Sequence, residues 1–320
     1  MTITEDSTTL GGIPAAVHGN GHTTALVYDL AAVGDPPAWA TAHREPLRAA
    51  LGSRGSVLLR GAAADIDAFH QVVRAIGGDL LEYTERSTPR SAVSGNIYTS
   101  TEYPADQAIP MHNENSYSSR WPQLLFFFCQ TPPATGGATP IADSRSVLAQ
   151  LPPDLRARFA DGVRYTRSYR EGLGLSWQEA FQTADRAAVE QYCTRHGIEF
   201  EWVEDGLRTR HHRPATAPAA ATGEEVWFNQ ANLFHVSSLE PEVREALLEV
   251  YPETDLPRNA YLADGGPIPE QDLRTIASAY DRVALALPYR QGDVLVIDNM
   301  LMAHGREPYT GVRRILVAMS

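Results

Sequence analysis

The chain has 320 residues, of which 43% are hydrophobic and 21% charged, and its 27 basic side chains stand against 39 acidic ones. This composition excludes wholesale disorder, and the net charge of −12 disfavours partners such as nucleic acids and anionic membrane surfaces. All the basic residues are arginine, which excludes lysine-based Schiff-base chemistry and a phosphate-binding loop lysine.

Cysteine content and hydropathy narrow the protein class further. The two cysteines, Cys129 and Cys193, cannot build a disulfide framework or a thiolate zinc site. No apolar run approaches the 18 residues that a membrane-spanning helix needs, and the first ten residues lack the features of a secretory signal. We therefore predict a cytoplasmic protein.

Hydrophobic patterning predicts a mainly β core with helices. Residues 1–22 are polar and glycine-rich, and they predict a flexible lead-in. Beyond it the pattern predicts, in chain order, strands at 25–29, 56–60, 97–101, 124–129 and 138–141, helices at 37–51, 66–76 and 143–150, a mixed and largely helical insert at about 151–222, a strand at 226–228, helices at 241–251 and within 269–287, and strands at 293–298 and 315–319. Strands at both ends of residues 23–320 predict one domain with a helical insertion.

Two histidines are followed two residues later by a glutamate, and local structure separates them. His43 and Glu45 fall on a predicted helix, where side chains two apart point about 200° apart and cannot share an ion. His112 and Glu114 fall in an extended or turn-like segment, and on a strand residues two apart project to the same side. His112 and Glu114 are therefore the candidate metal ligands.

A second histidine would complete a set of two imidazoles and one carboxylate. His304 is the best placed, because it follows the buried strand 293–298 and a turn; His235, after Leu233 and Phe234, is a weaker competitor. Such a set covers one face of an octahedral ion and is typical of non-haem Fe(II) oxygenases. Zinc also uses two histidines and a glutamate, but the helical H-E-x-x-H pattern is absent.

Arg313 and Arg314 open the last predicted strand, nine and ten residues after His304. A guanidinium binds a carboxylate through two parallel hydrogen bonds. One of these arginines could therefore anchor the far carboxylate of a 2-oxo acid, the co-substrate that would supply electrons to an Fe(II) oxygenase. Strand alternation puts the two arginines on opposite faces, so only one of them can point into the core.

Several segments together resemble the TauD/TfdA-type Fe(II)/2-oxoglutarate dioxygenases, and within them the SyrP-like amino-acid hydroxylases. The segments are TSTEYPADQAIPMHNENSY (99–117), GGAT (136–139), FNQ (228–230) and GDVLVIDNMLMAHGREPYTGVRRILVAM (292–319). The resemblance covers most of the chain from about residue 24 and is least certain in the 151–222 insert.

The resemblance implies a double-stranded β-helix (jelly-roll) core with a helical insertion and flanking helices. It also implies Fe(II) as cofactor, bound by His112, Glu114 and His304, and 2-oxoglutarate and O₂ as co-substrates. Thr139, 27 residues after His112, matches the family's threonine contact with 2-oxoglutarate, and Arg314 matches its carboxylate anchor.

Two departures from relatives bear on the reaction. Taurine-type enzymes have a further arginine four residues after the anchor, where this chain has Ala318, which argues against a taurine-like substrate. Related halogenases replace the carboxylate ligand by a small residue, whereas Glu114 is present here. Hydroxylation of an unactivated carbon is therefore favoured, with desaturation or cyclisation as the alternative.

Substrate contacts are predicted only from proximity to the motifs. Glu102, Arg120, Asn229 and Gln230 could bind the ammonium or carboxylate of an amino-acid-like substrate, either free or loaded on a carrier protein; Asn229 and Gln230 could equally bond the backbone at a strand end. The 151–222 insert is the candidate lid. A jelly-roll binding protein without activity and a zinc hydrolase are the competing classes.

Overall fold

A computed structural model of the chain describes residues 9–81, 92–94, 96–99, 103–170, 172–204 and 206–320. The strands are β1 (Thr9–Leu10), β2 (Ile13–Pro14), β3 (Ala16–Gly19), β4 (Thr24–Asp29), β5 (Ser56–Arg60), β6 (Ala92–Ser94), β7 (Ile97–Thr99), β8 (Ile109–His112), β9 (Leu124–Thr131), β10 (Thr135–Gly136), β11 (Ile141–Asp143), β12 (Val163–Arg170), β13 (Glu199–Val203), β14 (Gly206–Arg213), β15 (Thr216–Pro218), β16 (Glu225–Trp227), β17 (Asn259–Leu262), β18 (Val294–Asp298), β19 (Met302–Arg306), β20 (Tyr309–Thr310) and β21 (Arg314–Met319).

The helices lie mainly between these strands and on the outside of the sheets. They are α1 (Pro36–Ala42), α2 (Arg44–Arg54), α3 (Ile66–Ile76), α4 (Ser144–Gln150), α5 (Pro153–Arg158), α6 (Trp177–Phe181), α7 (Arg186–Arg195), α8 (Ala231–Phe234), α9 (Pro241–Val250) and α10 (Glu270–Val283). Among the described residues, none of these helices has the length and apolar character needed to cross a lipid bilayer.

Two sheets form the core. The major sheet has the strand order β3-β4-β5-β18-β9-β21-β7-β6, and the minor sheet has the order β11-β19-β8. The sequence of strand β9 specifies what each face of the major sheet packs against, because successive side chains of a strand point to opposite faces. Phe126 and Phe128 pack with Phe69 of α3 on the outer face, while Phe127 and Cys129 pack on the inner face with residues of the minor sheet. The arrangement is that of a double-stranded β-helix.

The insert contains more β structure than the sequence predicted. Three of its strands, β12, β13 and β14, join β17 in an antiparallel sheet of order β13-β14-β12-β17, and the predicted helices are limited to α5, α6 and α7. The strand β14, with the sequence GLRTRHHR, is rich in arginine and histidine, so its hydrophobic alternation is weak and no strand was predicted there.

The N-terminal lead-in is also more regular than predicted. Strands β1 and β2 pair with each other, and β3 pairs with β4 at the edge of the major sheet. The backbone hydrogen bonds of residues 16–19 extend the sheet, and residues 1–8 lie outside the described residues. The flexibility of the lead-in stays a prediction.

Candidate metal centre and co-substrate pocket

The minor sheet brings the three predicted metal ligands together. His112 ends β8 and His304 lies in β19, and the two residues are direct partners across the antiparallel strands. Glu114 follows in the turn after β8. All three side chains are buried, with exposed fractions of 8%, 4% and 5% for His112, Glu114 and His304.

The ligand atoms converge on one point. Oε2 of Glu114 is 3.9 Å from Nε2 of His112 and 3.8 Å from Nε2 of His304, and one ligand atom from each residue lies within 4.8 Å of the others. Adjacent ligands of an octahedral ion with bonds of about 2.1 Å are roughly 3 Å apart, so small side-chain rotations close the set on an ion. Two imidazoles and one carboxylate in this geometry fit Fe(II).

The backbone fixes which nitrogen of His112 faces the site. Nδ1 of His112 is 2.8 Å from the carbonyl oxygen of Pro110, so it carries the proton and donates. The lone pair of the other ring nitrogen, Nε2, is then directed towards Glu114 and His304. A hydrogen bond from the ring nitrogen that does not bind the metal to a backbone carbonyl is the usual way in which proteins orient a metal-binding imidazole.

A cationic and hydroxyl-rich wall lies beside the triad in the same cavity. His112, His304, Thr139 and Arg313 all line it. Nε of Arg313 donates to the carbonyl of Gly137 at 2.8 Å, and the hydroxyl of Tyr289 donates to Oγ1 of Thr139 at 2.9 Å. Burial raises the pKa of Tyr289, which keeps this hydroxyl protonated, and burial lowers the pKa of Arg313. The Arg313 guanidinium and the Thr139 hydroxyl, so placed, fit a carboxylate.

The geometry of the cavity favours Arg313 over Arg314, the residue that the family resemblance implied as the carboxylate anchor. Arg313 has the same strand parity as Ile315 and Val317, and all three line the cavity, whereas Arg314 is exposed on the opposite face. The pairing of β9 with β21 is irregular because β9 has one extra residue between the partners of Arg314 and Ile315. The alternation of side chains along β21 is therefore unchanged.

Asn229 and Gln230 serve the protein's own backbone. Asn229 is fully buried, its amide donates to Ala215 O at 2.9 Å, and its Oδ1 accepts from the backbone of Ala231. Nε2 of Gln230 donates to Asn113 O at 2.6 Å. The Asn229 side chain and the amide nitrogen of Gln230 thus bond protein atoms, and their contact with substrate stays a prediction.

The remaining substrate candidates gain no support. Arg120 is exposed and, in the part of the chain that the structure describes, it does not line the metal cavity. Glu102 lies outside the described residues.

Sequence reasoning missed two residues that shape the site. Asn299 bonds both backbone groups of Glu114, and Tyr289 bonds Thr139. The Asp298-Asn299 pair after a buried strand was a visible turn signal for the first. No local pattern marks Tyr289, because its role depends on a contact 150 residues away.

A larger groove of ≈ 520 Å³ lies on the insert sheet, away from the triad. Its charged lining includes ion pairs between neighbouring strands, Arg210 with Glu199 at 2.6 Å and Arg208 with Glu201 at 3.8 Å. These pairs are what is expected of a solvated sheet face, so the groove does not define a second reaction centre.

Comparison with known proteins agrees with this site. Residues 24–319 match the taurine catabolism dioxygenase TauD, TfdA family. The dapdiamide synthesis protein DdaC of Enterobacter agglomerans is 40% identical over 277 residues, covering 86% of this chain and 84% of that protein. The clavaminate synthase-like protein At3g21360 of Arabidopsis thaliana is 31% identical, with 84% and 82% covered.

Solved structures show the same fold at low sequence identity. PvcB from Pseudomonas aeruginosa superposes with a TM-score of 0.55 at 14% identity, covering 99% of this chain and 94% of PvcB. A taurine dioxygenase from Burkholderia xenovorans gives 0.51 at 17% identity, with 95% and 88% covered. The predicted double-stranded β-helix fold is confirmed.

The chain belongs to the TauD/TfdA family. It is an Fe(II)/2-oxoglutarate-dependent dioxygenase with a His-Glu-His triad, which confirms the predicted family, enzyme class and cofactors.

Proposed function

We propose that this dioxygenase hydroxylates an unactivated carbon of an amino acid or amino-acid-derived substrate in natural-product biosynthesis, in the cytoplasm. In this proposal His112, Glu114 and His304 hold Fe(II), and Arg313 and Thr139 hold the far carboxylate of 2-oxoglutarate. The observation that carries it is the buried convergence of the triad beside the Arg313 guanidinium in one cavity.

Bound Fe(II) and 2-oxoglutarate supply the oxidising power, and O₂ is consumed as 2-oxoglutarate becomes succinate and CO₂ while a C–H bond becomes C–OH. The chain's own residues position the reactants. Arg313 and Thr139 fix the dianion by its charge and hydrogen bonds, and Tyr289 keeps the Thr139 hydroxyl oriented. The apolar side chains Phe127 and Val317 line the cavity and exclude water.

The substrate class is supported by the relatives. DdaC is named for dapdiamide synthesis, and a PvcB structure is described as an Fe, alpha-ketoglutarate dependent oxygenase from an isonitrile synthetic pathway. Both belong to small-molecule biosynthesis. Neither Val317, four residues after Arg313, nor Ala318, four residues after Arg314, offers a cation for a sulfonate. Glu114 occupies the ligand position that a halogenase leaves to chloride.

The first test removes single ligands. His112→Ala and Glu114→Ala are expected to abolish substrate-dependent succinate formation and to weaken Fe(II) binding, because each takes one of three protein ligands. Anaerobic Fe(II) binding and succinate release in the purified variants are the measurements. Wild-type turnover in either iron-loaded variant would refute the metal assignment.

The second test identifies the substrate. Free amino acids and the same aminoacyl groups loaded on a carrier protein are offered to the iron-loaded enzyme, and succinate and product mass are measured. A gain of 16 mass units identifies hydroxylation and a loss of two identifies desaturation or cyclisation, on the atom balance of the reaction. Turnover of loaded carrier alone would assign the carrier-bound form, and hydrolysis without O₂ would identify a zinc hydrolase.

A further inference from the structure

Glu114 lies in a buried turn rather than in a strand. The residues from Asn113 to Ser118 are all buried, and Asn115 has a φ of 55°, in the left-handed region. A carboxylate ligand on a turn has no sheet ladder to fix its backbone. What fixes it must therefore come from side chains packed around the turn.

Asn299, at the end of the β18 turn, holds Glu114 from one side. Its Oδ1 accepts from the backbone N–H of Glu114 at 2.7 Å, and its Nδ2 donates to the carbonyl of Glu114 at 2.9 Å and to that of Pro122 at 3.0 Å. The side-chain amide thus pairs with both backbone groups of one residue, as a neighbouring strand would. Asn299 itself is fully buried.

Gln230 holds the turn from the other side. Its Nε2 donates to Asn113 O at 2.6 Å, and its backbone N–H donates to the hydroxyl of Tyr165 at 2.8 Å. Tyr165 lies in β12 of the insert sheet and is itself buried. The amide of Asn113 closes the network by donating to Asn299 O at 2.7 Å. A chain of hydrogen bonds therefore joins the insert to the backbone beside the carboxylate ligand.

We propose that Asn299 and Gln230 are positioning residues of the metal centre, which clamp the turn from Asn113 to Ser118 so that the Glu114 carboxylate meets the two imidazoles. They touch the backbone and not the metal ion, and they act through Glu114. The proposal rests on the proposed role of Glu114 as a ligand. It gives the insert sheet a part in metal binding.

The test measures metal affinity separately from stability. Asn299→Leu and Gln230→Met remove the amide groups with little change of volume, and Asn229→Leu is the matched control. Asn229 is equally buried and also bonds the backbone, but its partners Ala215 and Ala231 lie outside the turn. Each purified metal-free protein is titrated with Co(II), and the Kd and the visible Co(II) spectrum are recorded beside the thermal unfolding temperature.

Loss of partners around a metal ligand costs about 10- to 100-fold in affinity, so Asn299→Leu is expected in that range and Gln230→Met at its lower end. Both are expected to change the Co(II) spectrum, whereas Asn229→Leu lowers the unfolding temperature with Kd within about twofold of wild type, since its lost bonds do not reach the turn. If Asn299→Leu does not fold, the Kd and the Co(II) spectrum of Gln230→Met test the positioning role.

Wild-type Kd and spectrum in the folded turn variants, or an equal loss of affinity in the Asn229 control, would overturn the positioning role. Glu114→Ala separates the two proposals. If it binds Co(II) like wild type, the ligand assignment fails. If it loses affinity while the turn variants do not, only the clamp is refuted.

Discussion

The two arginines that open the last strand lie in contrasting surroundings. Arg313 contacts Gly137 O and lies beside the ring of Tyr309, with its guanidinium carbon 5.5 Å from the ring centroid. Arg314 is exposed on the other side of the strand. A cation inside a protein is costly unless polar groups or an anion compensate it, so the half-buried Arg313 gains more from binding a carboxylate than the exposed Arg314.

Arg313→Gln is therefore expected to raise the KM for 2-oxoglutarate by roughly 10- to 100-fold, the range of a lost hydrogen bond to a charged group. Arg314→Gln is the control and is expected to stay within about twofold. Steady-state kinetics with varied 2-oxoglutarate provide the measurement. A raised KM in Arg314→Gln with a normal value in Arg313→Gln would restore the assignment made from the sequence.

This pair also marks how far residue patterns reach. Alternation predicted that one arginine points inward, and the spacing of His112 and Glu114 predicted that they lie together, although Glu114 lies in a turn and not on the strand. Which arginine faces the cavity depends on how the last strand enters the sheet, and a local pattern carries no such information. Asn229 and Gln230 were open to two interpretations, and only tertiary contacts favour the backbone one.

At the scale of elements, the turn from β10 to β11 carries the co-substrate wall. Gly136 and Gly137 have φ of 63° and 68°, in the left-handed region, and the second offers its carbonyl to Arg313. A Cβ placed on Gly136 would lie 2.3 Å from the carbonyl oxygen of Pro308. The turn therefore needs glycine both for its backbone angle and for its close approach to the segment before β20.

Gly136→Ala is expected to destabilise the protein by about 2 kcal/mol or more and to raise the KM for 2-oxoglutarate, because the clash shifts the turn that bears Thr139. Gly197→Ala is matched in backbone angle, with φ of 63°, but has open space around its Cβ. Chemical denaturation of both variants isolates the clash. Equal losses of stability would show that only the backbone angle matters.

The elements themselves were predictable to different degrees. The helix Ile66–Ile76 agrees with the sequence prediction at both ends, because Asp65 caps it and its apolar face is regular. The predicted helix 37–51 is instead two helices that meet at His43. The insert sheet was missed since its strands bear charged residues on one face and pair with β17, which is distant in sequence.

At the scale of the whole molecule, one buried histidine links stability to pH. His211 of β14 lies under the metal turn, with Nε2 2.8 Å from Tyr117 O. Burial, with help from the charge of Arg213, lowers the pKa of His211 to about 3. In the unfolded chain the pKa of this histidine is about 6.5. Between about pH 3 and pH 6.5 the unfolded state therefore binds a proton at His211 that the folded state does not bind. The stabilisation is complete above pH 6.5 and is lost progressively as the pH falls towards 3.

From this group alone, the free energy of unfolding is expected to fall by about 2 kcal/mol between pH 7.5 and pH 5. His211→Gln should flatten that dependence, whereas the exposed neighbour His212, replaced in the same way, should leave it unchanged. Urea denaturation at the two pH values is the measurement. The same slope in His211→Gln and wild type would assign the acid sensitivity to other groups.

Because His112 and His304 are direct partners across β8 and β19, an ion bound to both would cross-link these two strands of the minor sheet. Occupancy by metal then reinforces the architecture as well as the chemistry, and resistance to heat rises with free metal concentration by simple mass action. When iron is scarce, the protein is therefore expected to be less stable as well as inactive.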